Sequence, residues 1–189
     1  MKKAIILLLV LSGLNVFSQE TEVIPDFKRN ELKINALMLV AGAAEITYER
    51  LLNEESGVGI SIFGAFSNTL STKFYVSPYY RFYFGKKPAA GFFAEGFGML
   101  NHFDDTSDTY NYITYDSMGN PYIYQNNYQG KKITDFALGF GIGGKWVTKR
   151  GIFFEISGGV GRNLFNSTDN YYNYNQIVVK GSVAAGYRF

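Results

Sequence analysis

The sequence predicts an all-β fold, an eight-stranded antiparallel up-and-down transmembrane β-barrel, from three observations. The first is a period of two. About eight segments put apolar residues at every second position and small, polar or charged residues between them. The second is the final segment, 177–189. Its outward set is Ile177, Val179, Gly181, Val183, Ala185, Tyr187 and Phe189, and its inward set is Lys180, Ser182, Ala184, Gly186 and Arg188. In an open sheet this strand would be an unprotected edge, whereas in a barrel it closes the sheet. The third is the composition: 15 Tyr, 17 Phe and 21 Gly in 189 residues with mean hydropathy near zero, which fits strands that are apolar on one face only. Apolar faces outward and charged faces inward invert the arrangement of a soluble barrel, as a lipid-embedded barrel requires.

The N-terminus reads as a signal peptide, residues 1–18. Lys2 and Lys3 supply the charge, positions 4–14 the apolar core, and Val16-Phe17-Ser18 the cleavage site before Gln19. Its apolar run is too short for a bilayer helix. Residues 19–30 are polar, carry Pro25, and form an expected periplasmic N-terminal tail; 31–189 is the barrel. The chain has no Cys, so neither a disulfide nor a lipid-modified N-terminal Cys is available.

The strands follow in order. From Glu31, Leu32, Ile34, Ala36, Met38 and Val40 share one face, with Lys33 and Asn35 on the other; small residues at 41–44 turn the chain. In the second strand, 45–52, Glu45, Thr47 and Glu49 oppose Ile46, Tyr48 and Leu52. The third, 58–66, sends Val58, Ile60, Ile62 and Phe66 outward and Ser61 and Phe63 inward. The fourth, 72–84, opposes Phe74, Val76, Tyr80, Phe82 and Phe84 to Tyr75, Ser77, Tyr79, Arg81 and Tyr83. The fifth, 90–103, is less regular, because Phe93, Phe97 and Met99 share parity with Glu95. Residues 104–132 read as a polar Tyr/Asn/Asp-rich loop. The sixth strand, 133–147, is the sharpest, with Phe136, Leu138, Phe140, Ile142 and Trp146 outward and Asp135, Ala137, Gly139, Gly141, Gly143 and Lys145 inward. The seventh, 152–162, opposes Ile152, Phe154, Ile156 and Val160 to Glu155 and Ser157. A second Tyr/Asn-rich loop, 163–176, precedes the last strand.

Outward aromatics fall into two belts, as interfacial anchoring demands. Tyr48, Phe82, Phe84, Phe92, Trp146, Tyr187 and Phe189 lie near one end, and Phe66, Phe74, Phe103 and Phe136 near the other. The inward set holds Lys33, Arg81, Lys145, Lys180 and Arg188 against Glu45, Glu49, Glu95, Asp135 and Glu155. An eight-stranded barrel has room for side chains and little else, so buried charges there must pair. The expectation is a barrel plugged by an ion-pair network.

Other motifs carry less. Gly139-x-Gly141-x-x-Gly144 matches a dinucleotide fingerprint but lacks the strand-then-helix context, and alternating wall glycines explain it. Asp104, Asp105 and Asp108 lack the spacing of a calcium loop. Asn166-Ser167-Thr168 has the form of a glycosylation acceptor. His102, the single histidine, has no serine two residues away. The net charge of +2 argues against nucleic acid as a partner.

The terminal Phe189, Tyr187 two residues upstream, the strand count and the belts resemble the small bacterial outer-membrane barrels of the OmpA/OmpX/opacity type, especially their functionally uncharacterised relatives. The resemblance implies an outer-membrane location with both termini periplasmic, and insertion by machinery that reads the last strand. It also implies a monomer among membrane lipid and lipopolysaccharide, without cofactor, metal or catalytic residues. Its role would be structural or surface-interacting, through the Tyr/Asn-rich extracellular loops. A small-solute or ion channel is the alternative, and a lipid-modifying enzyme using His102 ranks third. Deleting Phe189 is expected to lower the amount of assembled barrel in a quantitative membrane-fraction assay; unchanged assembly would remove the assembly-signal reading.

Overall fold

The computed structural model describes residues 28–104, 109–115, 118–127, 132–165 and 176–189. The signal peptide, nearly all of the tail, Asp105, Asp108 and the acceptor sequence at 166–168 lie outside the described residues. Alternation resolves into strands β1 (Asn30–Asn35), β2 (Ala43–Leu51), β3 (Ser56–Ala65), β4 (Thr72–Tyr83) and β5 (Gly91–Asp104). After them come β6 (Thr109–Tyr115), β7 (Pro121–Asn127), β8 (Lys132–Val147), β9 (Ile152–Asn163) and β10 (Ile177–Arg188). A short helix, α1 (Ala36–Ala41), lies between β1 and β2. Eight strands form one closed antiparallel barrel in the order β1-β10-β9-β8-β5-β4-β3-β2, and β6 and β7 pair only with each other. The final strand closes the sheet on the first, from Glu31↔Arg188 to Asn35↔Ala184. Backbone bonds between Asn30 and Phe189, at 2.8 and 3.0 Å, seal the seam.

Three expectations need correction. The first strand stops at Asn35 instead of running to Val40. Asn35 caps α1, its Oδ1 accepting the amides of Leu37 at 3.1 Å and Met38 at 3.4 Å. The following Ala-Leu-Met-Leu run has high helix propensity, and Gly42, at φ +91°, ends the turn. The polar stretch after β5 is not all loop, because β6 and β7 make a hairpin in register from Thr109↔Asn127 to Tyr115↔Pro121. Phe103 points inward and is buried, sharing the parity of Phe93, Phe97 and Met99.

One end of the barrel carries short turns and both strand termini Asn30 and Phe189; the other carries α1, the hairpin and the longer connections. At the turn end, the segment before β5 folds against the barrel. Ala89, buried at φ +45°, donates its amide to Glu54 O, and Pro88 O and Ala89 O accept from Arg188 at 3.0 and 2.8 Å. Inside, large rings lie across glycines of the neighbouring strand. A Cβ at Gly139 would stand 2.4 Å from Phe97 Cζ, and one at Gly143 2.4 Å from Phe93 Cζ. Phe97↔Gly139 and Phe93↔Gly143 are register pairs, so these two inward glycines of β8 each house an aromatic of β5, while Gly141 between them faces Glu95. Tyr79 uses Gly59 in the same way, while Phe63 stacks on Tyr75 with centroids 4.6 Å apart.

Asn35 holds more than the helix. Its Nδ2 donates to Glu45 Oε2 at 2.6 Å and Gly181 O at 3.0 Å, and its Oδ1 also accepts from Val183 N at 3.3 Å. One side chain therefore caps α1, anchors β2 and extends the closing seam beyond the last residue of β1. Asn35→Ala is expected to lower unfolding stability in urea by roughly 2–4 kcal/mol, since several partly buried groups lose partners together. A loss under about 1 kcal/mol would show that the seam does not depend on it.

Candidate functional site

The chemistry-bearing side chains gather inside the barrel, because inward parity on seven of its eight strands carries a charge. Arg81 of β4 is their centre. Its guanidinium reaches Glu155 of β9 at 2.7 and 3.1 Å, Glu95 of β5 at 2.7 and 3.1 Å, and Glu49 of β2 at 3.3 Å. Phe93 lies under it, with the ring centroid 3.7 Å from Cζ, and Tyr79 flanks it at 4.9 Å. This forked geometry suits arginine, whose planar group can serve several carboxylates and a ring face at once.

Lys145 of β8 forms a second centre, nearer the turn end. Its ammonium is 2.6 Å from Glu31 and 3.5 Å from Glu49, and it also donates to the Tyr83 hydroxyl. Tyr83 in turn donates to Glu49 Oε1 at 2.6 Å, and Tyr79 to Glu49 Oε2 at 2.8 Å. Arg188 Nε donates to Glu31 Oε1 at 2.7 Å. Lys33 of β1 is 2.5 Å from Glu155. Lys180 is held more loosely, 3.3 Å from Ser77 Oγ and 4.0 Å from Glu95, with the Phe97 ring at 4.8 Å.

Eight of the ten expected interior residues join in ion pairs: Lys33, Glu49, Arg81, Glu95, Lys145, Glu155, Lys180 and Arg188. Glu45 faces inward and accepts from the Asn35 amide. Asp135 works at the loop end, its Oδ1 accepting the Phe136 amide at 2.7 Å and the Phe165 amide at 3.0 Å. Glu31 was missed, although it bridges Lys145 and Arg188. Its parity with Lys33 is the signal that could have placed it. The hydroxyls of Tyr79 and Tyr83 were also not assigned a part in the network.

A gap of about 20 Å³ beside this layer, bordered by Lys33, Glu45, Arg81, Glu95 and Lys180, has room for about one water. Towards the loop end the character changes. A cavity of about 320 Å³ opens there, walled by Phe63, Tyr75, Met99, Phe103, Val178 and Met38. Its border also carries Asn101, which donates to Asn163 at 2.9 Å and whose Oδ1 is buried without a partner among the described residues.

The outer surface is the reverse. Tyr48, Phe82, Phe84, Phe92, Trp146, Tyr187 and Phe189 are all exposed, and Phe84 contacts Phe82 at 5.1 Å and Phe92 at 5.8 Å. Phe66 and Phe74 are exposed towards the other end. His102 also lies on this outer parity, with Nδ1 2.8 Å from Thr134 Oγ1 of the adjacent strand.

The chain matches no family description and no curated protein sequence. In three dimensions it is similar to the crystal structure of the N-terminal β-barrel domain of Pseudomonas aeruginosa OprF. The superposition covers 86% of this chain and 98% of that one, with a TM-score of 0.52 at 13% identity. The likeness is one of fold: both are small closed barrels.

The network makes a direct prediction. Arg81→Ala leaves three carboxylates facing one another in a dry interior, and is expected to cost roughly 3–5 kcal/mol in urea unfolding. Lys86→Ala, in an exposed turn, should cost almost nothing. Adding Glu155→Gln to Arg81→Ala should recover part of the loss. Strictly additive losses would mean that the two residues are not coupled.

Proposed function

We propose that this chain is a non-enzymatic outer-membrane β-barrel whose interior is plugged by its own ion pairs, and that it acts through its surface and loops. The observation that carries the reading is the inversion of polarity across one wall. Ile46, Tyr48, Ile60, Ile62, Phe140, Ile142, Phe154 and Ile156 are exposed on the outside, while Glu31, Glu49, Arg81, Lys145 and Glu155 are all but completely buried. In water such a surface would aggregate, since contiguous apolar patches of that extent mark a buried or membrane face. In lipid it is the solvated side, and a closed barrel leaves no backbone edge to satisfy.

Plugging follows from occupancy. Arg81 and its three carboxylates come from β2, β4, β5 and β9 and so cross the lumen, while Phe93, Tyr79 and Tyr83 pack against the charges. On this reading both termini are periplasmic and the turn end faces the periplasm. The hairpin β6–β7 and the 164–176 connection are then extracellular and form the interaction surface. The exposed Tyr115, Ile113, Met118 and Ile123 of the hairpin region suit contact with an apolar or aromatic partner.

The barrel reconstituted in planar bilayers is expected to give no sustained conductance steps, while running as a compact, heat-modifiable species on gels. Steady ohmic steps at neutral pH would replace the plugged reading with a conducting one. Loss of the heat-modifiable band, with the chain soluble without detergent, would remove the membrane reading altogether.

A further inference from the structure

The barrel wall is incomplete on one side. β1 has six residues where a membrane strand needs about nine to eleven, yet it stands between β10, of twelve, and β2, of nine. The β1–β10 ladder ends at Asn35↔Ala184 and the β1–β2 ladder at Ile34↔Ile46. Residues 177–183 of β10 and 43–45 of β2 therefore have no strand partner on that side among the described residues. The tapering gap between them is occupied by α1, which packs on both strands.

α1 is a thin cover. None of its residues is buried, and Val40 is 90% exposed. Directly behind it is the 320 Å³ cavity, to which α1 contributes Met38 and β10 contributes Val178 and Gly181. Only the Leu37 side chain lies over Gly181: a Cβ there would meet Leu37 Cδ2, at 3.8 Å, so the slot is shut by a single apolar side chain that has to swing aside. A sheet edge facing hydrocarbon has to be covered by something apolar or be satisfied locally. Here only the Asn35 side chain continues the ladder, and it reaches no further than Gly181 O.

We propose that this slot is a lateral portal, and that a hydrocarbon chain from the surrounding membrane passes between α1 and β10 into the cavity. The inference rests on the membrane reading above. The cavity fits a chain better than a polar head. Most of its wall is apolar, from Phe63, Met99, Phe103, Met38 and Val178; of its polar border, Asn101 is bonded to Asn163, and the cation at its floor, Lys180, is already engaged by Ser77 and the Phe97 ring. An apolar cavity of about 150 Å³ holds a benzene ring, so about 320 Å³ takes roughly ten to twelve carbons, the distal part of an acyl chain. The outward residues flanking the slot, Leu37, Leu39, Val40, Ile177 and Val179, present an uninterrupted apolar approach from the lipid side.

Photolabelling in phospholipid vesicles tests this. One probe is a phosphatidylcholine with a diazirine at the end of one acyl chain, which cannot leave the bilayer. The other is a diazirine-bearing decanoic acid added from water. Adducts are located by peptide mass spectrometry, where neighbours of opposite facing, Met99 inward and Leu100 outward, are read separately. The phospholipid probe is expected to label outward Leu100, Phe140 and Val183, and inward Met99 as well. Gly181→Phe, which fills the slot beside Leu37, should cut Met99 labelling at least about fivefold and leave outward labelling unchanged; the unaltered chain decides the matter should that variant not fold. Label confined to outward residues overturns the portal while upholding the membrane reading. Met99 labelled by the water-borne acid alone overturns it in favour of access from the loop end. Absence of outward labelling overturns the membrane reading itself, and the portal with it.

Discussion

A guanidinium held inside a narrow barrel is the constraint on which the rest of this structure depends. Arg81 is almost fully buried, and a lone charge in that position would carry a desolvation cost of several kcal/mol. It is tolerable because β2, β5 and β9 each bring a carboxylate within 3.3 Å of it. Those carboxylates then need further cations, which fixes Lys33 and Lys145, and Lys145 in turn draws in Glu31 and Arg188. Each satisfied charge defines the next, so the strands cannot slip in register without stranding several at once. Breaking one pair is therefore a different event from never having built it. Apolar replacements for the whole set could be neutral, whereas removal of a single member leaves the others exposed to one another.

The same crowding explains the glycines. Ion pairs, tyrosines and phenylalanines compete for the lumen of an eight-stranded wall, and several large rings gain their space from a facing residue that has no side chain. Phe97 and Phe93 sit on Gly139 and Gly143, Phe153 on Gly186 and Tyr79 on Gly59. The placement is coupled to the charges, because Phe93 and Tyr79 are also the rings against which Arg81 packs. What resembles a phosphate-binding Gly motif in β8 is thus a strand wall in which Gly139 makes room for Phe97, Gly141 for Glu95, and Gly144 lies beside Trp146.

Strand faces were legible in the sequence wherever inward and outward residues differ in polarity. From β2 to β5 and from β8 to β10, parity alone separates Tyr48 from Glu49, Phe82 from Arg81 and Trp146 from Lys145, and the barrel's closure follows from the last strand. Reading failed where that contrast vanishes. In Ala36-Leu37-Met38-Leu39-Val40 every residue is apolar, so a period of two is satisfied by default, and the decisive signal was the capping residue Asn35. In β6 and β7, Tyr, Asn and Thr occupy both faces, which made a strand look like loop. Phe103 was placed by its nearness to a rim although its parity with Glu95 pointed inward, and Glu31 was overlooked at the first position of the alternation. The pairing of particular charges was not legible at all, since it depends on how strands distant in sequence face one another across the lumen.

The break at Asn35 gives the barrel two halves with different chemistry. On the turn-end side the wall is complete, the seam from Glu31↔Arg188 to Asn35↔Ala184 is hydrogen-bonded, and the interior is filled with charge. On the loop-end side the wall is partly helix, the interior is largely apolar with Asn101 and Asn163 at its border, and a cavity remains. These differences belong together. Buried ions need a fully paired surround, because a charge left without a partner in a low-dielectric interior carries a large desolvation cost. A cavity walled largely by apolar side chains makes no such demand of the wall beside it. The residue at the boundary serves both halves: Asn35 holds Glu45 on one side while ending β1 and starting α1 on the other. If β1 continued as a strand to residue 41, the gap would close and the alternation would put Leu37, Leu39 and Ala41 into the lumen. The cavity would be lost, and the apolar half would become an ordinary plug.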